Sequence, residues 1–232
     1  MSSNLKYWYL KDHQLFQKLS YDEIDALCIL KRFKRSNRNE IVELPPAEKE
    51  RLYFLKKGTL KLLRINSEGE EVLLEILQKG DIFGEFTWNK QDKEVDFIKV
   101  VSDEAIICTF FREKLEEVML QKPDFALTYI KVLGFNFKKL QNSYKNILFK
   151  DAKTRLLMLL DSIIEKEGLP DNQLSLPNYL TQKDIAQLIC ITRQTVVALF
   201  KELEQDAVLN YSQKQITIID RQKIKNLIAN VK

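Results

Sequence analysis

Arg193, Gln194 and Val197 stand at the start of a segment that reads as a helix, Thr192-Arg-Gln-Thr-Val-Val-Ala-Leu-Phe-Lys-Glu-Leu. A helix lying in the major groove of DNA reaches base edges with the residues near its N-terminus. Arg presents a fork of donors that suits guanine O6 and N7, and Gln suits adenine N6 and N7. Thr181, Lys183, Thr192, Thr195 and Lys201 supply hydroxyl and ammonium groups for phosphates, and helix N-termini add backbone N–H donors. The chemistry on offer is sequence reading rather than bond making.

These side chains need elements to hold them. Thr181-Gln-Lys-Asp184 has the form of a capping box ahead of Ile185-Ala-Gln-Leu-Ile. A break at Cys190-Ile191 follows, and Thr192 caps the next helix. Ile185, Leu188, Val196, Leu199 and Leu203 then face inward. Two helices, the first of about seven residues, precede a short ribbon, Val208-Leu-Asn-Tyr and Gln215-Ile-Thr-Ile-Ile. The set makes a winged helix-turn-helix. An ordinary helical hairpin with capping residues is the alternative, and the two caps and trailing ribbon count against it.

Upstream, Ile130, Leu133, Phe137, Leu140, Tyr144 and Ile147 follow at steps of 3, 4, 3, 4 and 3, an a/d seam flanked by Lys131, Lys138, Lys139 and Lys145. The narrow seam favours a homodimer over a helix packed on its own barrel. Asp151 caps a further helix through Lys166. Before the seam the period is two: Leu52-Tyr-Phe-Leu, Gly58 to Ile65, Val72 to Leu77, Val95 to Val101 and Ala105 to Phe111. Asn66-Ser-Glu-Gly69 reads as a hairpin loop with Gly69 at positive φ. The part before about residue 115 is therefore a small β sandwich or barrel behind an initial helix near Tyr21–Leu30.

Composition removes other classes. The chain has 232 residues, 37 Lys plus Arg, 33 Asp plus Glu, three Cys and one His. No apolar run approaches a membrane span, and the start lacks the apolar core of a signal peptide, so a cytosolic protein with no membrane partner is expected. Cys28, Cys108 and Cys190 are too few and too scattered for a disulfide framework, zinc finger or iron–sulfur cluster. His13 alone cannot build a multi-histidine metal site, so metalloenzyme readings, a cupin-like barrel enzyme included, fail, and neither cofactor nor enzymatic activity is expected. A haem ligand would have to be His13, Cys28 or Cys108, and nothing else supports one. Cys108, in a strand, reads as core. Residues 1–115, 116–150 and 151–232 carry 20, 6 and 11 basic against 20, 3 and 10 acidic side chains, so no segment is globally basic and DNA binding must come from local charge placement.

From roughly residue 30 to 220 the chain resembles the CRP/FNR family of bacterial transcription factors. Leu52-Tyr-Phe-Leu-Lys-Lys-Gly-Thr-Leu-Lys-Leu is similar to that family's barrel strand and turn. Lys79-Gly-Asp-Ile-Phe-Gly-Glu-Phe86 is similar to the start of its phosphate-binding cassette. Leu180 to Ala186 and Ile191 to Val196 are similar to its DNA-reading motif. The resemblance implies an α+β chain in three parts. These are a cyclic-nucleotide-binding-like barrel of the double-stranded β-helix or jelly-roll type at 1–118, a dimerisation helix at 119–150 and a winged helix-turn-helix at 151–232.

The resemblance also implies where this chain departs. In cyclic-AMP-binding members an Arg-Ser pair follows the cassette's Gly-Glu by about ten residues, and the Arg neutralises the cyclic phosphate. Here the count from Gly84-Glu85 reaches Val95 and Asp96, which supply no cation and add a negative charge. A Thr-Ser pair that holds the adenine is matched by Leu140 and Gln141. Gly84, Glu85, Val95, Asp96, Leu140 and Gln141 thus form a degenerate effector pocket. Arg193 falls on the guanine-reading Arg, Gln194 replaces a Glu, Ala198 replaces a second Arg, and Cys190 stands where Gly is usual.

The expected function is a homodimeric DNA-binding regulator acting on an inverted repeat of double-stranded DNA. Its effector is not cyclic AMP or is absent. RNA polymerase is the further partner if it activates, and an unknown small molecule is the candidate ligand. The alternative is a regulatory protein whose barrel binds cyclic AMP or another small ligand, with or without a DNA function.

Overall fold

The computed structural model describes residues 10, 13–27, 34–43, 51–84, 96–167, 175–212 and 214–229. The chain divides into two compact units, residues 1–137 and 138–232.

Among the described residues of the first unit a helix α1 (Tyr21–Leu27) precedes eight strands. They are β1 (Lys34–Asn37), β2 (Ile41–Glu43), β3 (Arg51–Lys57), β4 (Leu60–Ile65), β5 (Glu71–Leu77), β6 (Ile82–Gly84), β7 (Asp96–Val100) and β8 (Glu104–Phe111). They form two four-stranded antiparallel sheets ordered β1-β8-β3-β6 and β2-β7-β4-β5. Strands alternate between the sheets except at the β4–β5 hairpin, which is the jelly-roll order. The expected barrel is present.

Side-chain alternation explains how β3 is buried on both faces. Tyr53 and Leu55 share a core cluster with Leu60 of β4 and Ile98 of β7, between the two sheets. Leu52 and Phe54 point the other way, into a second cluster with Phe16, Ile24 and Phe125. The β4–β5 turn carries Gly69 at φ 80°, as its sequence demanded. There the Asn66 side-chain oxygen accepts from the N–H groups of Glu68 and Glu70 at 3.0 and 2.8 Å.

His13 lies against the second cluster, beside Phe16 and Phe54. Its ring meets Phe54 edge-on at 4.9 Å, its Nδ1 accepts from the Leu15 N–H at 3.3 Å, and burial lowers its pKa. The backbone of Gly80 and the charge of Asp81 oppose that shift but do not cancel it. The unfolded chain therefore binds a proton at His13 more readily than the folded one. Stability is full above the ordinary imidazole value of about 6.5 and falls as pH drops through it toward the depressed folded value. Urea midpoints between pH 7.5 and 5.5 are expected to fall in the wild type and to flatten in His13→Gln. The lowered carboxylates, Glu23 beside Lys122 and Asp124 beside Lys18, titrate below this window.

After β8 come α2 (Arg112–Gln121) and α3 (Pro123–Phe149). The period-two pattern carries the expected β region to about residue 115, whereas α2 already begins at Arg112, with no side-chain cap to announce it. Phe125 and Tyr129 bury the start of α3 in the second cluster. Beyond them the seam residues Ile130, Leu133, Phe137, Leu140, Tyr144 and Ile147 are 39–66% exposed in the single chain.

The second unit contains α4 (Ala152–Glu167), β9 (Ser175–Pro177), α5 (Gln182–Leu188), α6 (Arg193–Gln205), β10 (Leu209–Tyr211), β11 (Gln215–Ile218) and α7 (Arg221–Ala229). Asp151 caps α4, its Oδ1 accepting from the Thr154 N–H at 2.9 Å. The three-stranded sheet runs β10-β11-β9. Its third strand, β9, and α7 went unread in the sequence. Arg221 of α7 donates through Nε to Asp161 of α4 at 3.2 Å.

Candidate nucleic-acid interface

Local hydrogen bonds set both helices of the reading motif. The Thr181 N–H donates to Asp184 Oδ2 at 2.6 Å, and the Asp184 N–H donates to Thr181 Oγ1 at 3.1 Å, which completes a capping box for α5. The Thr192 hydroxyl accepts from the Thr195 N–H at 3.1 Å and starts α6. Lys153 of α4 anchors the far end of α6, donating to Glu202 at 2.8 Å and Asp206 at 3.2 Å. Its pKa is raised, mainly by the bond to Glu202, so the clamp keeps its charge.

The two faces of α6 differ. Val196, Phe200 and Leu203 are buried, with Leu199 at the margin. Arg193, Gln194, Val197, Ala198 and Lys201 are exposed. At about 100° per residue those five positions occupy a single arc of roughly 140° on the opposite side. Leu188, expected inside, is half-buried, while Ile185 is fully buried.

The phosphate candidates are not equivalent. Lys183 and Lys201 are exposed. The Thr192 and Thr195 hydroxyls lie 2.8 Å apart and share one hydrogen bond, which leaves one hydroxyl proton for an outside acceptor. Thr181 Oγ1 donates to Asp184 Oδ2 at 2.6 Å, so a phosphate contact from its hydroxyl requires that bond to open.

The turn between the helices passes through Cys190, which is exposed and sits at φ 54°. Its Sγ–H points to the Gln187 carbonyl at 3.8 Å. A side chain at this left-handed position is strained, and Gly is not. Cys190→Gly is therefore expected to raise stability by about 0.5–1 kcal/mol after the extra chain entropy of Gly is offset. An unchanged or lower urea midpoint would count against this. Cys108 is buried in the core, as read from the sequence.

Of the effector-pocket candidates, Gly84 ends β6 at φ 110°. A Cβ there would lie 2.5 Å from the Arg51 carbonyl oxygen and 3.1 Å from Tyr53 Cδ2, so only Gly lets β6 pass. Asp96 opens β7, its backbone paired in register with Arg64. Leu140 and Gln141 are exposed on α3. Glu85, Val95 and Cys28 lie outside the described residues. No described helix is long and apolar enough to cross a membrane.

Comparison with known proteins agrees with this geometry. Residues 37–122 match a cyclic nucleotide-binding domain, and residues 154–227 match a Crp-like helix-turn-helix domain. The chain is 25% identical over 185 residues to the global nitrogen regulator of Nostoc sp., covering 78% of this chain and 82% of that protein. It is 23% identical to a CRP-like cAMP-activated global transcriptional regulator of Mycobacterium tuberculosis, covering 75% and 78%. Among solved structures, a CooA mutant from Carboxydothermus hydrogenoformans superposes with a TM-score of 0.67 at 26% identity, covering 93% of this chain and 94% of that one.

Proposed function

This chain belongs to the CRP/FNR family of transcription regulators, and we propose that it works as a homodimer, paired through α3, on an inverted-repeat operator. It is a DNA-binding regulator and not an enzyme. The observation that carries the operator reading is the single exposed arc of α6, with Arg193 and Gln194 at its N-terminal end and an apolar opposite face. Arg193 reads guanine, Gln194 reads adenine, and Val197 lies against the neighbouring base edge. Lys183, Lys201 and the Thr192–Thr195 pair hold phosphates, while Thr181 fixes the N-terminus of α5. Two such heads enter successive major grooves about 34 Å apart.

Cyclic AMP is not the effector in this reading. Val95 and Asp96 replace the family's phosphate-binding pair, and Leu140 and Gln141 replace its adenine partners. The protein acts in the cytosol, where its DNA lies, and RNA polymerase is its further partner at promoters it activates.

Operator selection from random duplexes followed by fluorescence anisotropy tests the reading. Enrichment of an inverted repeat with half-sites about one helical turn apart supports it. Enrichment of a single asymmetric half-site overturns the dimer reading. Calorimetry with cyclic AMP tests the pocket, and binding tighter than roughly 10 μM, about −7 kcal/mol, would overturn that part.

A further inference from the structure

The ribbon of the second unit, β10 and β11, is tied to both halves of the reading motif. On the α6 side the Glu204 Oε1 accepts from the Tyr211 N–H at 2.8 Å, and the Tyr211 ring stacks on Phe200 at 4.2 Å and 30°. On the α5 side the tie is Asn178, which directly follows β9 and stands just ahead of the Thr181 cap. Its backbone N–H donates to the Lys214 carbonyl at 2.9 Å. Its side-chain Nδ2 donates to the Ser212 carbonyl, also at 2.9 Å. Its Oδ1 accepts from the Leu180 N–H at 3.3 Å, an Asx-type turn that leads into α5.

Ser212 and Lys214 lie between the two strands, past the ladder pair of Tyr211 with Ile216. Both residues are exposed. Water could satisfy their carbonyls, so the bonds from Asn178 add little to stability. What they fix is the position of the turn. Lys214 forms no ion pair among the described residues, so its ammonium is not held by a carboxylate of this chain. A helix in a major groove about 12 Å wide has a phosphate strand on each side. Elements that flank such a helix meet those strands, and the ribbon follows α6 directly in the chain.

We propose that Asn178 is a positioning residue for DNA binding: it locks the turn of the ribbon to the start of the reading motif, so that the Lys214 ammonium meets a phosphate bordering the groove α6 occupies. The inference rests on the reading of α6 as the DNA-reading helix and adds a contact outside it. That contact positions the head without reading a base. Without the Asn178 side chain the turn is less fixed, and ordering it again opposes binding.

The test follows binding of the full-length protein by fluorescence anisotropy between about 50 and 200 mM salt. Two duplexes are used, the selected operator and one of unrelated sequence. Lys214→Gln is expected to reduce the slope of log affinity against log salt by about 0.9 per head, the share of one phosphate. Asn178→Leu is expected to weaken binding roughly threefold to tenfold per head, the effect of one lost hydrogen bond. The base preference of the selected site should not change. Asn178→Ser keeps a short acceptor for the Leu180 N–H but not the reach to Ser212, and serves if the Leu variant does not fold. It is expected to act in the same direction. In a Lys214→Gln background either Asn178 variant is expected to add nothing, because the group it positions is gone. Simple destabilisation would instead weaken binding equally in both backgrounds. Additive effects, or an unchanged salt slope in Lys214→Gln, overturn the proposal. Phosphates dominate binding to the unrelated duplex, so the comparison is read there whether or not an inverted repeat is selected. Failure to select an inverted repeat therefore overturns the operator reading alone, and additivity overturns the Asn178 assignment alone.

Discussion

Arg193→Ala is expected to weaken binding to the selected inverted repeat by roughly 2–6 kcal/mol, about 30-fold to 20,000-fold. A good bidentate Arg–guanine pair contributes about 1–3 kcal/mol of discrimination, and a two-fold operator contains it twice. The side chain is exposed on the first turn of α6, and the buried residues of that helix lie on its other face. Loss of the guanidinium should therefore leave the unfolding midpoint unchanged while the specific affinity collapses. Non-specific affinity should fall far less, because phosphates dominate it. The adjacent position gives a sharper check. Gln194→Glu exchanges a group that pairs with adenine for one that accepts from cytosine N4. The preferred base at that position should change from adenine to cytosine in both half-sites. An Arg193→Ala variant that keeps wild-type affinity in anisotropy titrations would remove Arg193 from the interface.

What was legible in the sequence depended on whether the signal was local. Helices α4, α5 and α6 each begin at a side chain that closes its own hydrogen bond three residues on, from Asp151, Thr181 and Thr192. Such caps can be read from spacing alone. Helix α2 begins at Phe111, which makes no side-chain cap, and it follows the last strand directly, so nothing announced its start. Strand β9 is three residues long, ends in Pro177, and is a strand only because β11 lies beside it. Helix α7 is tied down by Arg221 reaching Asp161, a contact across 60 positions. The sandwich was legible through its period-two runs and its Gly69 turn. Its strand order was not, since residues far apart in the chain set the pairing of β3 with β6 and β8.

The DNA-reading positions were legible because α6 is amphipathic and capped. The sequence could not show that Thr181 has already committed its hydroxyl proton to Asp184.

The largest effect is expected at the middle of the α3 seam. Phe137 occupies an a position of the heptad pattern and is 61% exposed in the single chain, so its own fold loses little if it is replaced. In a parallel pair of α3 helices the two copies of Phe137 meet across the axis, as do Leu133, Leu140 and Tyr144. Burying one Phe side chain contributes roughly 1.5–3 kcal/mol, and the symmetric pair doubles that. Phe137→Asp removes both contributions and sets two carboxylates against each other in an apolar seam. A loss of at least about 3–6 kcal/mol in dimer stability follows, a rise of 100-fold or more in the dissociation constant. Phe135 provides the control. It is more exposed, at 72%, but two positions away it lies on the outer side of the helix, at f. Phe135→Asp should therefore sediment as the wild type does, while Phe137→Asp sediments as a monomer with unchanged secondary structure. Binding of the monomer to the inverted repeat should fall to that of one head on one half-site, because the second contact is no longer tethered to the first. Two exposed phenylalanines on one helix, nearly equal in exposure and opposite in expected effect, separate a specific seam from mere surface hydrophobicity. If both variants stay dimeric, α3 is not the element that pairs the protomers.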